Sequence, residues 1–152
     1  MSLSIYKIMF KAKPSELDDL YEYFSEVDKE KLYDLDAYAY YDYVGVNGNY
    51  SSFIITTPKE LNNYIEILND NYIKVDYIDI SKQVLNNELD LEIDIKHLVD
   101  NDSELKFEFF IDDLNNWIIE NLDIDLVLDR ISKVGMDGLK EVEKEFLKNY
   151  KI

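Results

Sequence analysis

The sequence lacks cysteine, is poor in glycine and proline, and contains no long apolar run. Its 152 residues include no cysteine, four glycines and two prolines. Without thiols the chain can form neither a disulfide framework nor a cysteine zinc site. No segment approaches the ~18 apolar residues that a membrane span requires, and the N-terminus does not resemble a secretion signal. We therefore expect a cytoplasmic protein that does not bind membranes.

Basic residues are also scarce. The chain has 33 acidic against 16 basic residues, a formal net charge of −17, and Arg130 is its single arginine. Charge of this sign repels phosphate backbones and anionic lipids, so it argues against direct nucleic-acid binding and favours a basic protein partner. A hydrophobic content of 47% with 14% aromatic residues is enough to form a packed core.

Motifs that would carry catalysis or hold a cofactor are missing. No phosphate-binding glycine loop, serine-hydrolase elbow or HExxH metal motif occurs, and the single histidine, His97, has no serine or cysteine motif to pair with. The run from Asp100 to Ile111 begins like a calcium loop but lacks its central glycine and final glutamate. The sequence predicts no cofactor and no metal site.

The first half of the chain predicts a β-α-β-β-α-β order. Residues 5–12 alternate as a strand, and residues 14–27 have helical spacing, followed by a charged link over 28–36. Two β-type runs meet at Asn47-Gly48, which suits a tight hairpin turn. Thr57-Pro58 opens a second helix, and residues 72–80 alternate again. This order is typical of a ferredoxin-like sheet with both helices on one face.

The second half predicts a hairpin and helices. Residues 81–88 suggest a short helix, and alternation over 89–95 and 105–111 predicts a second hairpin. One further helix begins at Asp112 or Asp113. Another begins at Asp123 or Asp125 and ends at Gly135. A final helix covers 139–150. Because no Gly/Ser/Pro linker divides the chain, we predict one α+β domain over 1–152, with a ferredoxin-like part at 4–80 and a packed hairpin and helical tail at 81–152.

The run LDRISKVGMDGLKEVEKEFL over 128–147 resembles a short helix-turn-helix tail found at the ends of otherwise unrelated bacterial proteins. The matching positions are Ile131, Ser132, Lys133, Gly135, Leu139, Glu143, Lys144, Phe146 and Leu147. The chain departs from that pattern at Gly138 and Lys140, where serine and threonine commonly cap the second helix. The resemblance implies a bacterial or phage origin and a helical hairpin, and it implies no activity.

Aromatic residues occupy both faces of the first hairpin arm. Tyr38 and Tyr40 share one face, and Asp42 lies close by, so base stacking of the kind seen in RNA-binding sheets is disfavoured. We expect the second half to cover this face, since Trp117 and the nearby phenylalanines need a surface to pack against. The alternative is that Tyr38, Tyr40 and Asp42 form a surface for protein docking.

Three functions compete. The favoured one is a non-catalytic interaction protein of immunity, anti-defence or nucleic-acid-mimic type, in which Asp90, Glu92 and Asp94 form an acidic strip along one strand. The second is a metal-dependent hydrolase that uses Asp94, Lys96 and Asp79. The third is a structural component of a phage or mobile element, with the exposed sheet face filled by a second copy.

Overall fold

A computed structural model gives the fold and describes residues 2–11, 22–35, 39–42, 50–91 and 104–150. The first half contains β1 (Ser4–Phe10), α1 (Glu26–Leu35), β2 (Ala39–Asp42), β3 (Tyr50–Thr56), α2 (Pro58–Asp70) and β4 (Val75–Asp79). The second half contains α3 (Ser81–Leu85), α4 (Glu104–Asn121), α5 (Ile124–Val134), a 3₁₀ turn (Met136–Gly138) and α6 (Glu141–Asn149). The predicted α+β class is confirmed.

The four strands form one antiparallel sheet in the order β2-β3-β1-β4. In the register, Ile5 pairs with Ile55, Ile8 pairs with Tyr77, and Tyr40 pairs with Phe53. β1 therefore lies between two neighbours, and its alternating large side chains project to both faces of the sheet.

One face of the sheet is covered by α1 and α2. Tyr6, Ile8 and Phe10 of β1 are buried there together with Ile54 of β3. The helices contribute a shared apolar set: Leu32, Leu61, Tyr64, Ile67 and Leu68. Both helices thus pack on the same face, and Thr57 caps α2 by accepting a hydrogen bond from the Glu60 amide at 3.3 Å.

The opposite face is covered by the second half of the chain. Ile5, Phe53 and Ile55 are buried against α3 and α4, whose contributions are Val84, Phe110, Leu114 and Trp117. Trp117 Nε1 also donates a hydrogen bond to the Leu3 carbonyl at 2.8 Å. At these positions the expectation that the second half covers the sheet is confirmed.

The C-terminal helices form a third cluster around Leu122, Val127 and Leu139. Asp123 caps α5, as expected, by accepting from the Asp125 amide at 2.9 Å. Gly135 ends the helix with φ +74°, a region that favours glycine. The inward residue of α5 is the fully buried Val127, whereas its neighbour Leu128 is 51% exposed.

The predicted second hairpin is wrong. Leu89 and Asp90 are not in a strand, Leu91 is helical, and residues 104–111 form the first turns of α4. The apolar residues over 105–111 alternate as in a strand, but the segment also begins a longer helical pattern. Phe110, Leu114 and Trp117 recur at intervals of four and three, as on one face of a helix, and all three are buried.

The predicted link over residues 28–36 is also wrong. A new helix, α1, begins at Glu26, since Ser25 Oγ accepts a hydrogen bond from the Asp28 amide at 3.1 Å and caps it. Leu32 anchors this helix in the core, while Val27 is 61% exposed.

Several expectations fall outside the described residues. These are most of the helix predicted at 14–27, the Asn47-Gly48 turn, and the residues from 92 to 103, which include His97. Among the helices of the described part, none is both long and apolar enough to cross a membrane.

Candidate functional site

The residues predicted for hydrolytic chemistry are described only in part. Asp79 ends β4, where its Oδ1 accepts a hydrogen bond from the Ser81 amide at 2.9 Å. It therefore supports the turn into α3. Asp94 and Lys96 lie outside the described residues. Across the described ranges, no group of three or more His, Cys, Asp or Glu residues is placed to hold a metal ion.

The predicted acidic strip is described only at Asp90. This residue lies between α3 and α4, outside any strand, and its Oδ2 is 3.1 Å from Lys140 Nζ, with both side chains about 34% exposed. Glu92 and Asp94 fall outside the described residues. The structure thus shows Asp90 linking to the start of α6.

The predicted aromatic docking face is described through its backbone alone. Tyr40 pairs with Phe53, and Asp42 pairs with Ser51, while Tyr38 falls outside the described residues. Phe53, the partner of Tyr40, is buried beneath the second half of the chain.

A groove runs between α1 and α2 on the outer side of the first core. We call it the acidic groove; it has a volume of about 490 Å³ and is lined by Asp28, Lys31, Glu60, Asn63, Glu66, Ile67 and Asp70. Among the lining residues that the structure describes, four carboxylates against one lysine give a formal charge of 1 − 4 = −3. The buried Ile67 is the one apolar residue among these described lining residues.

Three hydrogen bonds fix the walls of the acidic groove. Asn71 Nδ2 donates to Asp28 Oδ2 at 3.1 Å and to the Ile67 carbonyl at 2.7 Å, which ties α1 to the end of α2. At the other end of α2, Thr56 Oγ1 donates to Glu60 Oε2 at 2.7 Å. Two of the four carboxylates are therefore held in place by hydrogen bonds.

Large side chains are exposed beside the joint between the two helices. Val27 precedes Asp28 and is 61% exposed, and Tyr72 follows Asn71 and is 86% exposed. The hydrogen bond between Asp28 and Asn71 brings the backbones of Val27 and Tyr72 near one end of the acidic groove, although neither residue is among those that line it. Exposed apolar side chains beside a charged rim are a common feature of protein-binding surfaces.

Sequence analysis did not identify this groove. The polar face of α2 was visible, since Asn63, Glu66 and Asp70 recur at helical spacing. The opposing wall was not, because Asp28 and Lys31 were assigned to a link. The start of α1 had one signal in the sequence: Ser25 can cap a helix, and the apolar Leu32 follows Asp28 at helical spacing.

A second polar cluster surrounds a buried carboxylate at the start of α6. Glu143 is 2% exposed, and its Oε1 accepts from the Lys140 amide at 3.0 Å and from Asn87 Nδ2 at 3.3 Å. Its Oε2 lies 3.6 Å from Arg130 Nε, an ion pair longer than a hydrogen bond. This cluster joins three parts of the second half, and its closed geometry suits a structural role.

Comparison with known proteins adds no functional assignment. No protein-family model matches the chain, and neither curated proteins nor solved structures give a significant match.

Proposed function

We propose that this chain is a non-catalytic interaction protein that docks a basic protein partner in the acidic groove. The observation that carries the proposal is the groove itself, with wall charge −3 and Ile67 in its lining. A partner segment rich in lysine or arginine would find carboxylates on both helices.

The charge of the whole chain supports the same partner. At −17 the molecule attracts basic proteins over a distance comparable with the Debye length, and it repels acidic ones. Opposed charge raises the rate of encounter more than the final affinity. The apolar side chains of Val27 and Tyr72 would supply short-range binding energy, since aromatic residues dominate the energetics of many interfaces.

The test compares two charge-matched double variants. Glu66→Gln with Asp70→Asn removes two charges from the acidic groove, and Glu120→Gln with Asp129→Asn removes two exposed charges from α4 and α5. Both variants have a formal charge of −15, from −17 + 2. A partner is first captured on the wild-type protein from lysate of the source cell and identified, and its affinity is then measured by calorimetry for all three proteins.

The proposal predicts that the groove variant weakens binding about tenfold or more, while the control variant changes it less than about threefold. Raising the salt from about 0.05 M to about 0.5 M should weaken wild-type binding steeply. Equal losses of affinity in both variants would show that net charge alone matters and would rule out the acidic groove as the binding site. Binding that does not depend on salt would rule out a basic partner held by charge.

We also propose that the sheet, α1 and α2 form a ferredoxin-like unit. The strand order β2-β3-β1-β4, with antiparallel neighbours throughout, supports this arrangement. So does the packing of both helices on one face, as a split β-α-β unit requires.

A further inference from the structure

β4 lies at one end of the sheet, and no other described strand pairs with its outer edge. It is last in the strand order, and within the described residues β1 is the only strand that pairs with it. Side chains on both of its faces are exposed, including Tyr77 at 50% and Ile78 at 46%. An exposed edge strand of this kind is a template for a further strand.

The hydrogen bonds to β1 determine which peptide groups of β4 face outward. Ile80 N donates to the Ile5 carbonyl at 2.9 Å, and Lys11 N donates to the Lys74 carbonyl at 3.2 Å. Inward and outward residues alternate along an antiparallel strand. The amides and carbonyls of Val75, Tyr77 and Asp79 therefore point away from β1.

Charge at this edge differs from that of the rest of the molecule. Lys11 Nζ lies 3.4 Å from Asp76 Oδ2, and Lys74 and Asp79 complete a set of two cations and two anions. Together with Lys74 and with Lys11 directly after β1, the two aspartates of β4 form a formally neutral set in a chain of net charge −17. The edge therefore offers little attraction to a basic partner, and it does not repel an identical edge.

We infer that a second copy of this chain pairs with β4 in antiparallel fashion, with the twofold axis at Tyr77. In this register Tyr77 lies opposite Tyr77 of the second copy, and Val75 lies opposite Asp79. Every outward peptide group of β4 then meets another outward group. Asp76 lies opposite Ile78, so no carboxylate faces a carboxylate, and the central pair is aromatic.

This pairing has a salt dependence opposite to that of a basic partner. Two copies repel each other through their distant charges, and added salt screens that repulsion while leaving the backbone hydrogen bonds intact. Dimerisation should therefore strengthen with salt, whereas binding in the acidic groove should weaken. The two proposals can fail independently.

Disulfide trapping tests the register, because the chain contains no cysteine of its own. Tyr77→Cys places thiols on a directly opposed pair, where Cα atoms are about 5.5 Å apart and within disulfide range. Ile78→Cys is the matched control: it is equally exposed and on the same strand, but its copies lie diagonally, about 8 Å apart. Both variants are oxidised at about 10 µM, and sedimentation of the wild-type chain is followed up to about 1 mM.

The expected result is a Tyr77→Cys dimer that forms at least about tenfold faster than the Ile78→Cys dimer, together with a wild-type dimer that strengthens with salt. Equal rates for the two variants would overturn the register. A wild-type chain that stays monomeric up to about 1 mM would overturn the pairing, whether or not either cysteine variant folds.

Discussion

At the residue scale, the least expected feature is the backbone of Tyr72. It has φ +65° and follows the end of α2, where its amide donates to the Asn69 carbonyl at 3.1 Å and Ile73 N donates to the Leu68 carbonyl at 2.8 Å. This pair of bonds is the Schellman helix ending, whose left-handed position is usually glycine. A tyrosine there carries backbone strain.

Replacing Tyr72 by glycine should raise the free energy of unfolding relative to replacing it by alanine, by about 1 kcal/mol. The side chain is 86% exposed, so both variants lose little packing, and the difference between them isolates the Cβ strain. Urea unfolding of both variants measures it. An alanine variant as stable as the glycine variant would show that the backbone is relaxed at this position.

Asn87 occupies the same left-handed position at the end of α3, but its backbone is less strained there. It has φ +60°, a conformation that asparagine tolerates better than tyrosine. Its side chain also donates to Glu143 at 3.3 Å. The same left-handed helix ending is therefore less strained at Asn87 than at Tyr72.

At the scale of elements, α6 is held by the buried carboxylate of Glu143. Its bond to the Lys140 amide is the glutamate half of a capping box, and lysine at the cap position has no acceptor to complete the other half. Arg130 of α5 and Asn87 after α3 contact the same carboxylate. One side chain therefore fixes the helix start and its attachment.

Glu143→Ala should lower the free energy of unfolding by about 2–4 kcal/mol, because it removes the cap and leaves Arg130 without its partner. Glu143→Gln should cost less, since the amide oxygen can still accept from Lys140 N. Thermal and urea unfolding compare them.

The exposed Glu145 on the same helix provides the control, and Glu145→Ala should change stability by less than about 0.5 kcal/mol. If Glu143→Ala behaves like Glu145→Ala, the cluster has no structural role.

The turn before α6 also explains one departure from the bacterial tail pattern. A Cβ at Gly138 would lie 2.7 Å from Val134 Cβ, closer than packed carbon atoms approach. A serine cap at this position would collide with the end of α5. The resemblance itself stays a prediction.

At the scale of the whole molecule, the sheet has a separate core on each face. α1 and α2 form the first core, and α3 and α4 form the second. Because β1 contributes to both, through Ile8 on one side and Ile5 on the other, loss of either core should destabilise the other. This sharing argues for a single cooperative unit.

Leu61→Ala tests this sharing from the first core. Leu61 is 2% exposed, so the variant should lose about 2–5 kcal/mol. The single tryptophan, Trp117, reports on the second core, and its fluorescence midpoint in urea should fall together with the circular dichroism midpoint.

The matched variant Leu128→Ala, at a position that is 51% exposed, should leave both midpoints almost unchanged. A Trp117 transition that does not move in Leu61→Ala would divide the chain into two independent units.

Prediction from the sequence succeeded where a local signal was sufficient. The Thr57-Pro58 start of α2, the Asp123 cap and Gly135 are all positions where one or two residues determine a helix boundary. It failed at α4, since seven alternating residues satisfy a strand pattern and a helical pattern equally well. The burial of Phe110, Leu114 and Trp117 on the sheet selects the helix.

The candidate site was less predictable than the fold. Composition predicted an acidic surface and a basic partner, but the acidic groove requires Asp28 and Asp70 to line one space between two helices that are distant in sequence. The exposed edge of β4 likewise depends on the strand order, which no local pattern encodes.

Local features of the sequence are sufficient to predict the class of the fold, most helix boundaries and the strong negative charge, because these follow from composition, periodicity and capping residues close together in the chain. Packing between distant parts of the chain selects which carboxylates share a groove, which helices cover each face of the sheet, and which side chains surround the buried Glu143. These outcomes depend on contacts between residues far apart in sequence, where packing rather than local preference selects the arrangement.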